Sequence, residues 1–419
     1  MTLRSNFKWT FIGNCIYFIS QWGMLTVLVK WGNPDVVGKY AYALTIVTPV
    51  ITFAMMQLKQ VHITDVSEQF EFRDYLSTRI GIVFLGLLTM NIIVWFGQYS
   101  LETKVVILVM SLAKWVDSIS DIIRGIFQKY ERMSYASISL IIKGISGLAA
   151  VAILFHLTGS LVITLWGLTL VWTLSLFFYD IPKGLAFLRQ NWVPDSDIKS
   201  IIPNFNFIKI WKLIRISFPL GIVLGVGSLQ TFLPRFFLEK YYGETLLGYF
   251  AAISYPLAVG NMVIAALSQS ALPRLSKYFV ENIQEYKRLF VKIMFLGLLI
   301  GIVFILLVIF FGKQALVLLY RPDYGQYQSA FILMSFSGAI SFLAAFCGTG
   351  VTAARCFNVQ ILFSGIATLG TAIAALILIP KHAIIGASVT MIVTSSLMLI
   401  CYLTGLMFHI HRYGERDVR

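Results

Sequence analysis

"TLLGYFAAIS" (Thr245–Ser254) restates, half a chain later, "DVVGKYAYAL" (Asp35–Leu44), with glycine, aromatic residue and alanine at the same offsets. Working outward, Lys30 and Gly32 upstream of the first copy have counterparts in Lys240 and Gly243 upstream of the second. Further on, "FQKYERMSYASISLIIKGI" (Phe127–Ile145) resembles "VTAARCFNVQILFSGIATL" (Val351–Leu369), with Arg132 set against Arg355. Matches at matching intervals mean that one structural unit occurs twice.

Composition says what the unit is made of. Apolar residues make up 58% and charged residues only 12% of the chain, and the mean hydropathy is +0.81, which is the usage of an integral membrane protein. Crossing the hydrocarbon takes roughly 20 apolar residues, and about twelve such stretches can be placed. They are 8–29, 38–58, 80–98, 104–126, 135–156, 159–180, 213–237, 245–270, 290–311, 328–350, 358–379 and 384–408. Lipid offers the backbone no hydrogen-bond partners, so runs this long and apolar are helices. The first run has no cleavage site and serves as its own insertion signal. The duplicated phrase falls between the first and second stretches, and again between the seventh and eighth. Because six is even, both units enter the membrane from the same side and are parallel repeats. The expected fold is all-α, with about 12 transmembrane helices in two parallel six-helix lobes around a central cavity. The expected divisions are an N-terminal lobe (1–182), a basic cytoplasmic linker (183–212) and a C-terminal lobe (213–419).

The net charge of +14 is distributed by topology. With the N-terminus inside, cytoplasmic segments and helix ends hold about 22 of the 33 Lys and Arg, and the opposite loops about 7. This excess points to cytoplasmic termini and not to nucleic acid. The long inside segment with Lys183, Arg189, Lys199, Lys209, Lys212 and Arg215 reads as a topology anchor on anionic headgroups. Cys15, Cys347, Cys356 and Cys401 have no metal or redox spacing, and of five histidines only His409 and His411 are close in sequence. Neither a phosphate-binding Walker sequence nor an ordered catalytic triad is present, so ATP-driven transport and enzymatic catalysis are not expected, and no cofactor or metal is implied.

Four phrases carry a family resemblance: "VVGKYAYAL", "IIRGIFQKYERMSYASISLIIKGI", "LPRFFLEKYYGETLLGYFAAIS" and "LILIPKHAIIGASVTMIVTSS". In this order, and across essentially the whole chain, they resemble the polysaccharide transporter, or Wzx-type flippase, branch of the MOP (MATE-like) superfamily. The resemblance implies a MATE-like fold in the inner (cytoplasmic) membrane. It implies translocation of undecaprenyl-diphosphate-linked oligosaccharide to the outer face by alternating access, for O-antigen or a related surface polysaccharide. Membrane lipid, a polysaccharide polymerase and a chain-length regulator are the implied partners, and the transport unit is a monomer. "PKHAIIGAS" departs from the pattern, lacking the more usual glycine in its turn.

A sugar diphosphate cannot cross bare hydrocarbon, so such a carrier needs basic residues inside its spans. In "LAKWVDSISDIIRGIF", Lys114, Asp117, Asp121 and Arg124 are spaced to share one helical face. That face either serves a polar lobe interior or closes on itself, Lys114 with Asp117 and Asp121 with Arg124, as a packing ladder. Lys143 lies near mid-membrane in the fifth span, and either pairs with Asp117 or Asp121 or offers its ammonium to the diphosphate. Arg235 either pairs with Glu239 or uses its fork for diphosphate oxygens, in a span that Pro219, Gly221, Gly225, Gly227 and Pro234 bend. The repeat sets it opposite Leu25, so its charge belongs to one lobe alone. Trp22, Trp115, Tyr249 and Tyr255 read as packing or interface aromatics before sugar platforms. Asp117 and Asp121 could carry H+ or Na+ coupling, unless their bases hold them ionised. Two rivals fit less well. A polymerase would need a large outer loop, and a cation exporter of this fold would need an acidic cavity.

Overall fold

A computed structural model of the chain describes residues 3–65, 69–191, 203–354 and 357–414. Lys199 with the 192–202 part of the basic segment, Arg355 and Cys356 lie outside the described residues, as do the side chains of Pro219, His409 and His411. The described chain is helical throughout: α1 (Leu3–Trp31), α2 (Pro34–Met55), α3 (Leu58–Thr64), α4 (Phe72–Phe96), α5 (Leu101–Lys129), α6 (Met133–Thr158), α7 (Leu161–Ser175), α8 (Ile181–Asn191), α9 (Phe207–Glu281), α10 (Ile283–Leu319), α11 (Gln328–Ala353) and α12 (Phe357–Gly414). A π-helical turn, Leu176–Asp180, joins α7 to α8, and a 3₁₀ turn, Pro322–Tyr327, leads into α11.

Local chemistry sets the helix starts. The Asn33 side chain accepts the Val36 amide and Pro34 follows in the first turn of α2, as the N-terminus of a helix favours. Glu71 and Asp74 close a reciprocal capping box on α4, and Ser100, Ser160 and Asn282 cap α5, α7 and α10. Two helices are broken internally. α9 leaves helical geometry at Gly243 (φ 81°) and α12 at Ala383 (φ 47°), the two gaps expected between the seventh and eighth and the eleventh and twelfth spans.

Nine segments of the described residues are long and apolar enough to cross a membrane. Two of them, Leu224–Leu272 and Gln360–Phe408, contain the breaks and so hold two crossings each, and α5, too charged to be counted among the nine, supplies one more. The expected twelve are all present. Side chains such as Phe84, Phe295 and Phe310 point outward and are more than 60% exposed, as lipid-facing residues would be.

The described chain gathers into two compact units, Met1–Ser228 and Leu229–Arg419. In the first, α5 packs against α2, α4, α6 and α7, and α1 lies along α6. The opening of α9 also belongs to this unit. Its backbone at Gly221 lies so close to α2 that a Cβ there would sit 2.9 Å from the Phe53 carbonyl oxygen. In the second unit α11 packs between α10 and α12.

Each copy of the duplicated phrase forms the first turns of a helix, not a loop, and the two bury the same positions. Val37, Tyr40, Ala41, Tyr42 and Ala43 are buried in the first unit, and Leu247, Phe250, Ala251, Ala252 and Ile253 in the second. The aligned residues Lys39 and Tyr249 both reach the outset of the segment two crossings on. Lys39 Nζ lies 2.6 Å from Glu102 at the start of α5, and the Tyr249 hydroxyl donates to Asp323 at 2.8 Å, just before α11.

Candidate functional site

The predicted site residues fall in two places, one in each unit. In the first unit α5 presents Lys114, Asp117, Asp121 and Arg124 toward its neighbours, as the spacing implied; of the packing ladder's two rungs, Asp121 with Arg124 forms, and Lys114 with Asp117 is not among the ion pairs of the described residues. Asp117 Oδ1 accepts from Lys143 Nζ on α6 at 2.9 Å and from both terminal nitrogens of Arg124 at 3.2 and 3.3 Å. Asp121 meets Lys59 Nζ at 3.1 Å and Arg124 at 3.5 Å. Lys114 instead lies over the Trp172 ring, 5.2 Å from its centroid, and the Trp172 indole N–H donates to the Lys143 carbonyl at 3.3 Å. Arg124 closes on Asp117 and Asp121 within α5, whereas the contacts with Lys59, Lys143 and Trp172 tie α5 to α3, α6 and α7.

Lys143 is fully buried, and a second carboxylate, Asp180 of the π-helical turn, stands 3.7 Å from its ammonium. Of the two alternatives for Lys143, pairing is what the structure holds. Three participants were missed from sequence. Lys59 and Arg79 flank the second and third expected spans without being inside them, and Asp180 sits at a span end, where nothing in the pattern announces an inward π turn. Arg79 is fully buried, and its three guanidinium nitrogens have no hydrogen-bond partner among the described residues. With Lys59, Asp121, Gln57, Gln60 and Thr52 it lines a cavity of about 170 Å³. Five bases (Lys59, Arg79, Lys114, Arg124, Lys143) thus face three acids (Asp117, Asp121, Asp180), leaving the cluster cationic.

In the second unit Arg235 lines a cavity of about 300 Å³ together with Gln230, Ser254, Asn261, Ser337 and Ser341. The Glu239 pairing does not form, and among the described residues no carboxylate lies within ion-pair distance of the Arg235 guanidinium. A larger cavity of about 500 Å³ adjoins it, sharing Gln230, Ser341, Thr394 and Ser395 and adding Thr352, Gln360 and Tyr402. Among the described residues neither lining contains an acidic side chain. Leu25, the repeat counterpart of Arg235, is buried in α1. The guanidinium is therefore a feature of one unit, as the sequence implied. Trp115 is fully buried and packs against Gly86, where a Cβ would overlap its ring. Tyr249 is held by Asp323 and by ring contacts to Tyr324 and Tyr327, so neither aromatic is a sugar platform in this structure.

An all-helical fold of many membrane-length helices, with cavities that carry polar side chains among them, defines the class of multispan membrane proteins. The family model described as "Polysaccharide biosynthesis protein" matches residues 3–279, and the chain belongs to that family. A curated relative, the capsular polysaccharide biosynthesis protein CapF of Staphylococcus aureus, is 29% identical over 402 residues, covering 95% of this chain and 97% of the relative. Among solved structures, the lipid II flippase MurJ in an inward closed conformation aligns with a TM-score of 0.75 at 13% identity, over 95% of this chain and 87% of its own. An inward-facing multidrug resistance MATE transporter of the MOP superfamily aligns at 0.67 and 11%, over 97% and 98%. At these identities the two structures establish a shared fold.

Proposed function

We propose that this protein is a flippase that moves polyprenyl-diphosphate-linked oligosaccharide units from the inner to the outer face of the cytoplasmic membrane for a surface polysaccharide. The observation that carries the reading is Arg235, a guanidinium with no carboxylate partner among the described residues, in a hydroxyl- and amide-bearing cavity whose described lining holds no acid, inside a membrane-spanning unit. Such a lining replaces the hydration of a sugar and attracts an anion, and an arginine fork matches diphosphate oxygens. The same lining argues against a cation exporter, which would need carboxylates there. The name of the Staphylococcus aureus relative supports a capsular product, and the lipid II flippase supports a lipid-linked cargo. An O-antigen product belongs to the same reading, with a polymerase and a chain-length regulator as downstream partners and both termini cytoplasmic. Coupling to H+ or Na+ is part of the proposal. Because Asp117 and Asp121 are each held by two bases, either would take up a coupling ion only as those pairs open.

Deleting the gene and locating the diphosphate-linked oligosaccharide tests the proposal. Completed units accumulating on the cytoplasmic face, with no surface polymer, are the expected result. Completed units on the outer face would place the defect after translocation and reject it.

A further inference from the structure

The two adjoining cavities of the second unit differ in charge. The smaller contains Arg235, while the larger, about 500 Å³, has no charged side chain among the described residues of its lining. Its polar atoms are oriented by the protein itself. Gln230 Nε2 donates to the Ser364 carbonyl and hydroxyl, both at 3.3 Å, and to the Thr368 hydroxyl at 3.4 Å. Gln360 Nε2 donates to the Thr352 hydroxyl at 2.8 Å and to the Gly348 carbonyl at 3.4 Å. A backbone carbonyl only accepts, so these bonds fix which end of each amide is nitrogen. Both amide nitrogens are thereby spent, and among the described residues no donor reaches either Oε1 atom.

Two pre-oriented carbonyl acceptors in an uncharged cavity select hydroxyl and amide N–H donors and offer nothing to a carboxylate. The volume is within the range of about 300–1,000 Å³ usual for small-molecule sites. Resting on the flippase reading, we propose that Gln230 and Gln360 read the sugar: the larger cavity takes an uncharged, hydroxyl- or acetamido-bearing sugar residue, while the Arg235 cavity beside it takes the anionic diphosphate. Gln230, which lines both, stands at the junction of lipid phosphate and sugar.

The test uses the full chain in nanodiscs and three probes: undecaprenyl diphosphate, the same lipid carrying N-acetylglucosamine, and the same lipid carrying a hexuronic acid. Wild type is expected to bind the N-acetylglucosamine lipid about tenfold more tightly than either other probe, one lost hydrogen-bonded contact being of that order. Gln360→Met, at a residue that lines the larger cavity and not the Arg235 cavity, should erase this preference while leaving affinity for the sugarless lipid unchanged, which also shows that the variant is folded; Gln230→Met, at a residue lining both cavities, should erase the preference as well. Arg235→Ala should weaken all three probes. Equal affinity of wild type for the neutral and acidic sugars would overturn the proposal without any variant, as would Met variants that keep the preference. Failure of wild type to bind any of the three would instead overturn the flippase reading on which the proposal depends.

Discussion

Lys143 and Arg235 were both legible as cations inside apolar helices, and the structure gives them opposite circumstances. Lys143 is fully buried between Asp117 and Asp180, so removing it takes from Asp180, itself fully buried, its ion-pair partner among the described residues. Breaking a buried pair in this way costs about 3–5 kcal/mol. Lys143→Met is therefore expected to lower the amount of folded, monodisperse protein on size-exclusion chromatography, and adding Asp180→Asn should recover much of it. Recovery by Asp180→Asn is the check, because a lysine needed only for substrate would leave the single variant folded. Among the described residues Arg235 has no carboxylate to strand. Arg235→Ala should abolish surface polymer at unchanged protein level, and Arg235→Lys should keep a fraction of it, since an ammonium retains charge but loses the fork. Residue type and helical spacing were enough to find these two positions. They could not show who pairs with whom, because Lys59, Arg79 and Asp180 come from elements distant in sequence, and partner choice is decided by tertiary approach.

At the scale of elements, the sequence placed both internal helix breaks within a few residues and noted the absent glycine in "PKHAIIGAS". The structure supplies the physical sense of that departure. The break falls on Ala383 at φ 47°, where a Cβ is strained and glycine is not. A non-glycine residue in such a region costs on the order of 1–3 kcal/mol. Ala383→Gly should raise the thermal unfolding midpoint in detergent, while Gly243→Ala, at φ 81° in the other break, should lower it. The α3–α4 connection makes a pH-dependent prediction. Partial burial pushes the Asp65 carboxyl up, but the backbone N–H groups of Gln69 and Phe70 and the Tyr75 hydroxyl outweigh it and hold it below its ordinary value. A carboxyl depressed on folding stabilises above its unfolded pKa, and that contribution is lost as pH falls through the folded one. Protection of the Gln69 and Phe70 amides from hydrogen exchange should therefore fall under acid conditions, below about pH 4, and be pH-independent in Asp65→Asn. What sequence could not supply was the π turn at Leu176–Asp180, since no residue type marks it and only its packed neighbours explain it.

At the scale of the whole molecule, positive-inside counting gives a topology that reporter fusions can check. A fluorescent protein fused after Arg419 should fluoresce, and an alkaline phosphatase fused there should be inactive. The reverse pattern would refute cytoplasmic termini. Helix number, the all-α membrane class and the duplication were readable because hydropathy and repetition are properties of the chain itself. The cavities were not, because their linings gather Gln230, Gln360 and Thr394 from segments that hydropathy treats as interchangeable. The matched ties of Lys39 to Glu102 and of Tyr249 to Asp323 carry a consequence for descent. When one ancestral unit became two, the place of contact persisted while its chemistry diverged, one copy ionic and the other a hydrogen bond from a neutral donor. Added salt screens the partly exposed ionic tie and leaves the phenol's bond comparatively untouched, so twins of common origin now answer differently to the brine around them.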